Sequence, residues 1–495
     1  MSKPTELFLS SSLRSIEAEF ADQPLMQRAG LAAADLACEL ATDRNRPILI
    51  LAGPGNNGGD AFEAARLLRE RFFLVAVVFA STPDRLPKDA AAAYRRFVEA
   101  GGTTAENIPD GQHWGLIVDG LFGIGLARAP GGRYAEWIAA ANALAERDGC
   151  PLLALDCPSG LDADCGTAFM PCVKASHTVT FISAKPGLYT ADGPDHCGSI
   201  QVADLAIAKT RQADGAIVTP DAFCQYLTPR PRNSHKGSFG SAGILGGNQS
   251  MLGAALLAGR ATLKLGAGRV YLGLVDPAAP PVDPLQPELM LRSADALLQT
   301  EIEALACGPG LGNTDEAARL LERSLTTPVP IVLDADALNI LAKSAELQAY
   351  LHQRDQATLL TPHPAEAARL LGVSVGEIQR DRIGSAKELA QRYRSHVALK
   401  GCGTIVALSS GQWWINTSGN PGMSSAGMGD VLTGLITALL AQGWPAEAAL
   451  LAGVHLHGAA ADRLLAQGIG PIGLTAGEVG DAARRVFNDW IATKA

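Results

Sequence analysis

From about residue 24 the chain alternates apolar runs of strand length with Ala-, Leu- and Arg-rich stretches of helical period. PILILAG (47–53) predicts a buried strand, 59–71 a helix, FFLVAVVFA (72–80) a strand and 87–100 a helix. GLIVDGLFG (115–123) then predicts a strand ending in a loop, 130–147 a helix, and LLALDCPSG (152–160) a strand with its exit loop. Strands that alternate with helices in this way form a mostly parallel sheet buried on both faces, and the turns at the carboxyl ends of its strands gather into one crevice. The exits Gly53–Asp60, Asp119–Gly125 and Asp156–Gly160 each carry an acid and glycines, and all are expected to face that crevice.

A second series of the same kind begins after about residue 240. Its expected elements are AGILGG (242–247), a helix over 251–265, RVYLGLV (269–275), EALACGPG (303–310), PIVLDADAL (330–338), ATLLTPHP (357–364), HVALKG (396–401) and a closing helix after Gly427. Between the series, Asp204 to Lys236 is rich in proline and basic residues, a composition shift of the kind found at domain boundaries. Two domains are expected, 1–218 and 219–495.

Composition narrows the classes. With 495 residues the chain can hold more than one core, and 41 Lys+Arg against 50 Asp+Glu leave a net charge of −9. That balance argues against a general nucleic-acid binder, which needs basic surface to neutralise phosphates. Charged residues are only 18% and 53 glycines take up much of the difference, a mixture suited to close-packed helices on sheets with many tight turns. Nine cysteines without a C-x-x-C pair do not read as a disulfide scaffold or zinc site. No apolar run approaches the ~20 residues that span a bilayer, and the first twenty residues do not read as a secretory signal. A cytoplasmic protein with reduced thiols and no membrane partner is expected.

In the first crevice, Gly53-Pro54-Gly55-Asn56-Asn57-Gly58-Gly59-Asp60 stands where a strand turns into a helix. Glycines there let the backbone approach an anion, and the free N–H groups of the helix start point at a phosphate. The segment is neither a Walker A loop nor G-x-G-x-x-G. Asn57, Asp119 and Ser159 offer one carboxylate and neutral oxygens, a donor set better matched to a weakly bound monovalent cation than to zinc. GPGNNGGD followed by DGLFGIG and DCPSG resembles the N-terminal domain of the YjeF family, the bifunctional NAD(P)H-hydrate repair enzymes, over residues 13–215. The resemblance implies a Rossmann-like three-layer α/β/α domain that epimerises hydrated NADH and NADPH at C6. It also implies that Asn56, Asn57, Gly58, Gly59 and Asp60, together with Gly123, Ile124, Gly125, Leu126, Ala127, Arg128 and Ala129, hold the dinucleotide phosphates. Asp156 would contact the nicotinamide, and Asn57, Asp119 and Ser159 would ligate potassium. Asp156 is also the candidate acid/base, a carboxylate at a crevice strand exit being able to move a proton. The family usually has glycine where Ala61 stands, and this Cβ is expected to narrow the approach to the phosphate.

In the second crevice, Gly419 to Asp430 precedes the apolar run VLTGLITALLA. Its glycines bring backbone N–H groups and a helix dipole to one point, an anion hole for a phosphoryl group in transfer, with Asp430 placed to accept a proton from an attacking hydroxyl. Together with Gly308 to Gly312, Leu333-Asp334-Ala335-Asp336, Thr361-Pro362-His363-Pro364 and Lys400 to Thr404, this is similar to the ribokinase-like dehydratase domain of the same family over 225–490. The resemblance implies phosphorylation of the C6 hydroxyl of the S hydrate by ADP, followed by phosphate elimination. Lys400, Gly401, Cys402, Gly403, Thr404, Asn420, Gly427, Met428 and Gly429 would bind the nucleotide, while Ala254, Gly312, His363 and Asp430 would contact the hydrate. Magnesium is expected with the nucleotide, and the implied substrates are the hydrates of NADH and NADPH (NADHX and NADPHX) and ADP. A homo-oligomer is expected. Ala365 and Met428 depart from the family pattern, the latter removing a hydroxyl.

The cysteines near 150–197, with His177 and His196, match no zinc spacing and are read as small core hydrophobes. His455 and His457 fall on different faces of an expected helix. Trp413 and Trp414 are read as core and surface positions of a short strand. Two other readings stay open: a vitamin kinase fused to an accessory domain, and a first domain that binds without catalysing.

Overall fold

The computed structural model describes residues 5–126 and 128–494, which divide into two compact units, Thr5–Gly215 and a second beginning at Ala216.

The first unit opens with α1 (Ser10–Glu19) and α2 (Leu25–Leu40), then runs β1 (Ile48–Ala52), α3 (Asn56–Glu70), β2 (Val75–Val78), α4 (Lys88–Glu99), β3 (Thr104–Ala105), β4 (Leu116–Gly120), α5 (Arg133–Asp148), β5 (Leu152–Leu155), β6 (His177–Phe181) and β7 (Ser199–Ala203). Its seven-stranded sheet has the order β3-β2-β1-β4-β5-β6-β7, and every pair is parallel. The central strands β1 and β5 are buried along their whole length, as their unbroken Ile, Leu and Ala runs require when helices cover both faces. Register fixes the crevice: Ala52 lies opposite Gly120, and Asp119 opposite Ala154, so the exits of β1, β4 and β5 leave the sheet at one level.

Two expectations change here. The apolar run 72–80 is a strand only over Val75–Val78, because Phe72 takes φ +63° in the turn after α3 and is 90% exposed. The expected loop Asn56–Asp60 is already the first turn of α3.

The second unit runs β8 (Ser241–Gly246), α6 (Leu252–Lys264), β9 (Arg269–Leu274), β10 (Met290–Ser293), β11 (Ala304–Cys307), α7 (Asp315–Leu325), β12 (Ile331–Leu333), β13 (Thr358–Leu360), α8 (Pro364–Leu371), α9 (Arg382–Arg392), β14 (His396–Leu399), β15 (Thr404–Ala407), β16 (Trp413–Asn416), α10 (Met428–Ala441), α11 (Ala446–Ala466) and α12 (Ala476–Lys494). The strand order is β16-β15-β14-β13-β12-β11-β8-β9-β10, parallel except where β15 pairs antiparallel with β14 and β16. Leu245, Cys307, Leu333 and Leu360 stand in register, so Gly246, Gly308, Asp334 and Thr361 leave the sheet side by side. The helix after Gly427 does not close the chain; α11 and α12 follow it and share its apolar core. No helix among the described residues is long and apolar enough to cross a membrane.

Candidate functional site

Each unit carries a site at the strand exits, and each is organised by a lysine that the sequence alone does not connect to its carboxylate.

In the first unit Asp119 is fully buried at the end of β4. Its carboxylate accepts the Ser159 hydroxyl at 2.7 Å, the Ser159 N–H at 2.7 Å and the Leu121 N–H at 3.2 Å. Burial nevertheless dominates and raises its pKa to about 6. Asn57, in the first turn of α3, has both amide atoms buried with no hydrogen-bond partner. Its backbone carbonyl lies 3.2 Å from where a Cβ on Gly120 would stand, which places the residue against the end of β4. An orphaned amide oxygen, a serine hydroxyl and a desolvated carboxylate are the donors a weakly held monovalent cation takes, so these residues fit potassium.

Asp156 follows β5 with φ +65°, a left-handed conformation that aspartate tolerates better than most side chains. One carboxylate oxygen, Oδ2, accepts the Ile124 N–H at 3.1 Å, and the other, Oδ1, lies 2.7 Å from Lys185 Nζ. Lys185 is 1% exposed and also donates to Thr180 Oγ1 (2.6 Å) and the Phe181 carbonyl (3.0 Å). Asp60 of α3 is buried nearby and titrates well above an ordinary aspartate, through burial first and then the charges of Asp156 and Glu17. Glu17 of α1 is likewise raised, by burial and by Asp156. The site therefore sets three carboxyl groups around one ammonium, and Lys185 and Glu17 lie outside the motifs that drew attention to the loop.

Among the phosphate candidates, Asn56 to Asp60 form the positive end of a 15-residue helix, and a Cβ on Gly58 would stand 2.0 Å from the Gly53 carbonyl. A Cβ on Gly123 would meet Asp156 Oδ2 at 2.6 Å, so only glycine there lets the loop close on the carboxylate. Leu126 closes a turn on the Gly123 carbonyl, Gly125, Arg128 and Ala129 are exposed, and Ala127 lies outside the described residues. The expectation for Ala61 is overturned. Its side chain is fully buried and turned to the sheet, where a Cβ on Gly120 would come within 2.5 Å of it, so it does not face the loop.

In the second unit Lys400, just beyond β14, lies 2.7 Å from Asp334 Oδ1 and 4.0 Å from Glu366. Burial alone would lower its pKa, but Asp334 and Glu366 outweigh burial and raise it. Asp334 is held ionised despite burial by Lys400 and by the Thr433 hydroxyl, which donates to Oδ2 at 2.9 Å. A Cβ on Gly429 would stand 3.2 Å from Lys400 Nζ, which puts the ammonium under the N-terminus of α10. Asp430, one residue further, is pushed up to about 7 by burial and by Asp334, against the pull of Lys400. Ammonium, unpaired helical N–H groups and a carboxyl poised near neutrality thus meet at one point.

The surrounding loops are anchored by their own side chains. Asp462 accepts the Gly419 N–H (2.8 Å) and the Asn420 amide (3.0 Å), Gly427 caps α10 with φ +89°, and the Thr404 hydroxyl closes the turn from Gly401. Gly401 and Gly403 have positive φ and carry the exposed Cys402 between them. Met428 is 6% exposed and turned into the core, so residues 428–429 present backbone and not a side chain at the start of α10. His363 caps α8 by accepting the Ala365 N–H at 3.1 Å, and Glu366 accepts the His363 N–H and is raised to about 7 by burial. Gly312 donates to Asp336 at 2.8 Å, and Asp336 in turn raises Asp430. Ala254 lies in the first turn of α6 and donates its N–H to the Met251 carbonyl at 3.2 Å, which a Cβ on Gly310 would approach to 2.4 Å. The sequence marks Asp334 only as part of a strand-exit motif, without a role; the only signal for Glu366 is its place three residues after His363, and none points to Thr433.

Residues 22–187 match the family described as YjeF-related protein N-terminus, and 242–483 match NAD(P)H-hydrate dehydratase. The chain is 37% identical over 508 residues to the bifunctional NAD(P)H-hydrate repair enzyme of Escherichia coli K12, covering 100% of this chain and 96% of that one. It is 38% identical over 490 residues to the enzyme of that name from Coxiella burnetii, covering 96% of each. Among solved structures, it is similar to the ADP/ATP-dependent NAD(P)H-hydrate dehydratase from Bacillus subtilis co-crystallised with ATP and Mg2+, at 34% identity and a TM-score of 0.50, over 55% of this chain and 98% of that one.

Proposed function

This chain belongs to the family of bifunctional NAD(P)H-hydrate repair enzymes, and we propose that its two strand-exit sites divide that repair between them. The enzyme returns hydrated NADH and NADPH to service by epimerising the hydrate at C6 and dehydrating the S form at the expense of a nucleotide.

We assign dehydration to the second unit. The observation that carries the assignment is Asp430, a carboxyl with a pKa near 7, beside the N-terminus of α10 and the Lys400 ammonium. In this reading Asp430 takes the proton of the C6 hydroxyl as that oxygen attacks the terminal phosphorus, and the bond from phosphorus to the bridging oxygen breaks to release AMP from ADP. Lys400 and the backbone N–H groups at Gly427–Gly429 meet the charge that spreads over the phosphoryl oxygens. The ring nitrogen then drives out phosphate from C6 while C5 loses a proton, which restores the C5–C6 double bond. Phosphorylation turns a poor leaving group into a good one, the physical reason for a hydro-lyase on a ribokinase-like fold. Lys400 to Thr404 and Asn420 with Gly427 to Gly429 are proposed to cradle the nucleotide, and Ala254, Gly312 and His363 to touch the hydrate. Mg2+ would come with the nucleotide's phosphates, as it usually does.

We assign epimerisation to the first unit. Asp156 would accept the C6 hydroxyl proton as the C6–N1 bond opens and return it to N1, after which rotation and closure on the other face of the aldehyde invert C6. Asn57, Asp119 and Ser159 would hold potassium, whose charge would neutralise Asp119 and fix the loop around it. The nine cysteines are all free thiols, which suits a cytoplasmic setting.

The test is nucleotide-dependent recovery of NADH absorbance from the separated S hydrate. Wild type with ADP and Mg2+ should recover it and Asp430→Asn should not. Accumulation of a phosphorylated product without NADH would instead support the vitamin kinase.

A further inference from the structure

The epimerase site contains a device that its loop motifs do not reveal. Lys185 lies 29 residues beyond Asp156, after β6, yet its ammonium spends its hydrogen bonds on Asp156 Oδ1, Thr180 Oγ1 and the Phe181 carbonyl. At 1% exposure the ammonium is closed off from solvent, and these partners account for its three donors. The carboxylate it grips is equally constrained, with Oδ2 on the Ile124 N–H and the backbone in the left-handed region.

We infer that Lys185 is a positioning residue of the epimerase, holding Asp156 as an aimed anion so that it can serve as the base. This rests on the proposed role of Asp156 and deepens it. The groups facing Asp156 make the need plain. Asp60 projects from α3, Glu17 from α1 and Cys157 follows in the chain, all of them acidic or neutral; Arg14 of α1 interacts with Glu17 and donates to the Ile124 carbonyl at 3.2 Å. Like charges at close range disfavour a carboxylate anion unless a cation stands beside it. Thr180, on the neighbouring β6, aims the ammonium from the other side at 2.6 Å.

The test uses the full-length enzyme and separated R and S hydrates, with epimerisation followed without nucleotide across pH 5–9. Lys185→Met should leave KM within about threefold, lower kcat by about 10- to 100-fold, the range seen for outer-shell partners, and move the acid limb of kcat upward by about one unit or more. Thr180→Val, a milder change that keeps the ammonium, should move the limb in the same direction by less. If Lys185→Met does not fold, Thr180→Val decides. An acid limb that stays in place in the folded variants overturns the inference whatever their kcat. Asp156→Asn separates the two levels: an active Asp156→Asn enzyme defeats the role of Asp156, whereas an inactive one with an unmoved limb in the lysine and threonine variants defeats only the role of Lys185.

Discussion

Lys400 Nζ sits 2.7 Å from one oxygen of Asp334 while Thr433 donates to the other at 2.9 Å, so a strand exit, a loop and a helix meet on one carboxylate. Asp334 therefore fixes the ammonium under the N-terminus of α10 and raises Asp430 through its charge. In Asp334→Asn the dehydratase kcat should fall at least tenfold, and its acid limb should move to lower pH, since a negative neighbour of Asp430 is gone and the lysine is released toward it. The stability loss should stay below the about 3–5 kcal/mol of an orphaned buried charge, because Glu366 is 4.0 Å away and can take up the lysine. The pH–rate profile and a urea melt of the variant check both.

The pKa of Asp430, near 7, has a kinetic sign and an opposite stability sign. As base it must be ionised, so dehydratase kcat/KM should rise with pH through about 7 and level off above. Its folded pKa lies above the 3.8 of an exposed aspartate, so between the two values the folded state binds more protons and stability falls as pH rises. Glu366, also raised to about 7, adds in the same direction. Denaturant melts at pH 5.5 and 8 should rank in the reverse order of the activities.

Potassium binding at Asn57, Asp119 and Ser159 predicts a cation-selective thermal shift. If 100 mM K+ exceeds its dissociation constant tenfold, stabilisation is about 1.4 kcal/mol, or about 3–6 °C for a unit of this size. The first unit's transition should rise in KCl over LiCl, and the difference should vanish in Asp119→Asn. Equal melting in both salts for the wild type would contradict the cation site.

The packing of Ala61 against Gly120 gives a steric prediction. A Cβ at 120 would stand 2.5 Å from the Ala61 Cβ and 3.2 Å from the Asn57 carbonyl, so Gly120→Ala should cost about 1–3 kcal/mol and weaken the cation-dependent shift. Gly131→Ala, where a Cβ meets nothing within 4 Å, should melt like the wild type.

Much of this was readable beforehand, and the limits have physical causes. Apolar runs at strand length and glycines at their ends announce parallel strands and their exits, so Asn57, Asp119, Asp156, Ser159 and Asp430 could be picked out singly. The partners could not, since Thr433 lies 99 residues from Asp334 and nothing local links Lys185 to Asp156. The strands β6 and β7 went unread in short mixed stretches such as HTVTF, and the 72–80 run was read too long because apolar composition does not reveal a turn at Phe72. Burial likewise decided which way Ala61 and Met428 face, a property of packing that no spacing encodes.

The division of labour between the two sites is the central claim, and it is tested most directly by giving the separated R hydrate, with ADP and Mg2+, to the wild type, to Asp156→Asn and to Asp430→Asn. The wild type should convert R hydrate to NADH, Asp156→Asn should convert R no faster than spontaneous epimerisation while still dehydrating S, and Asp430→Asn should interconvert R and S without forming NADH. Full R conversion by Asp156→Asn, or NADH formation by Asp430→Asn, would contradict it.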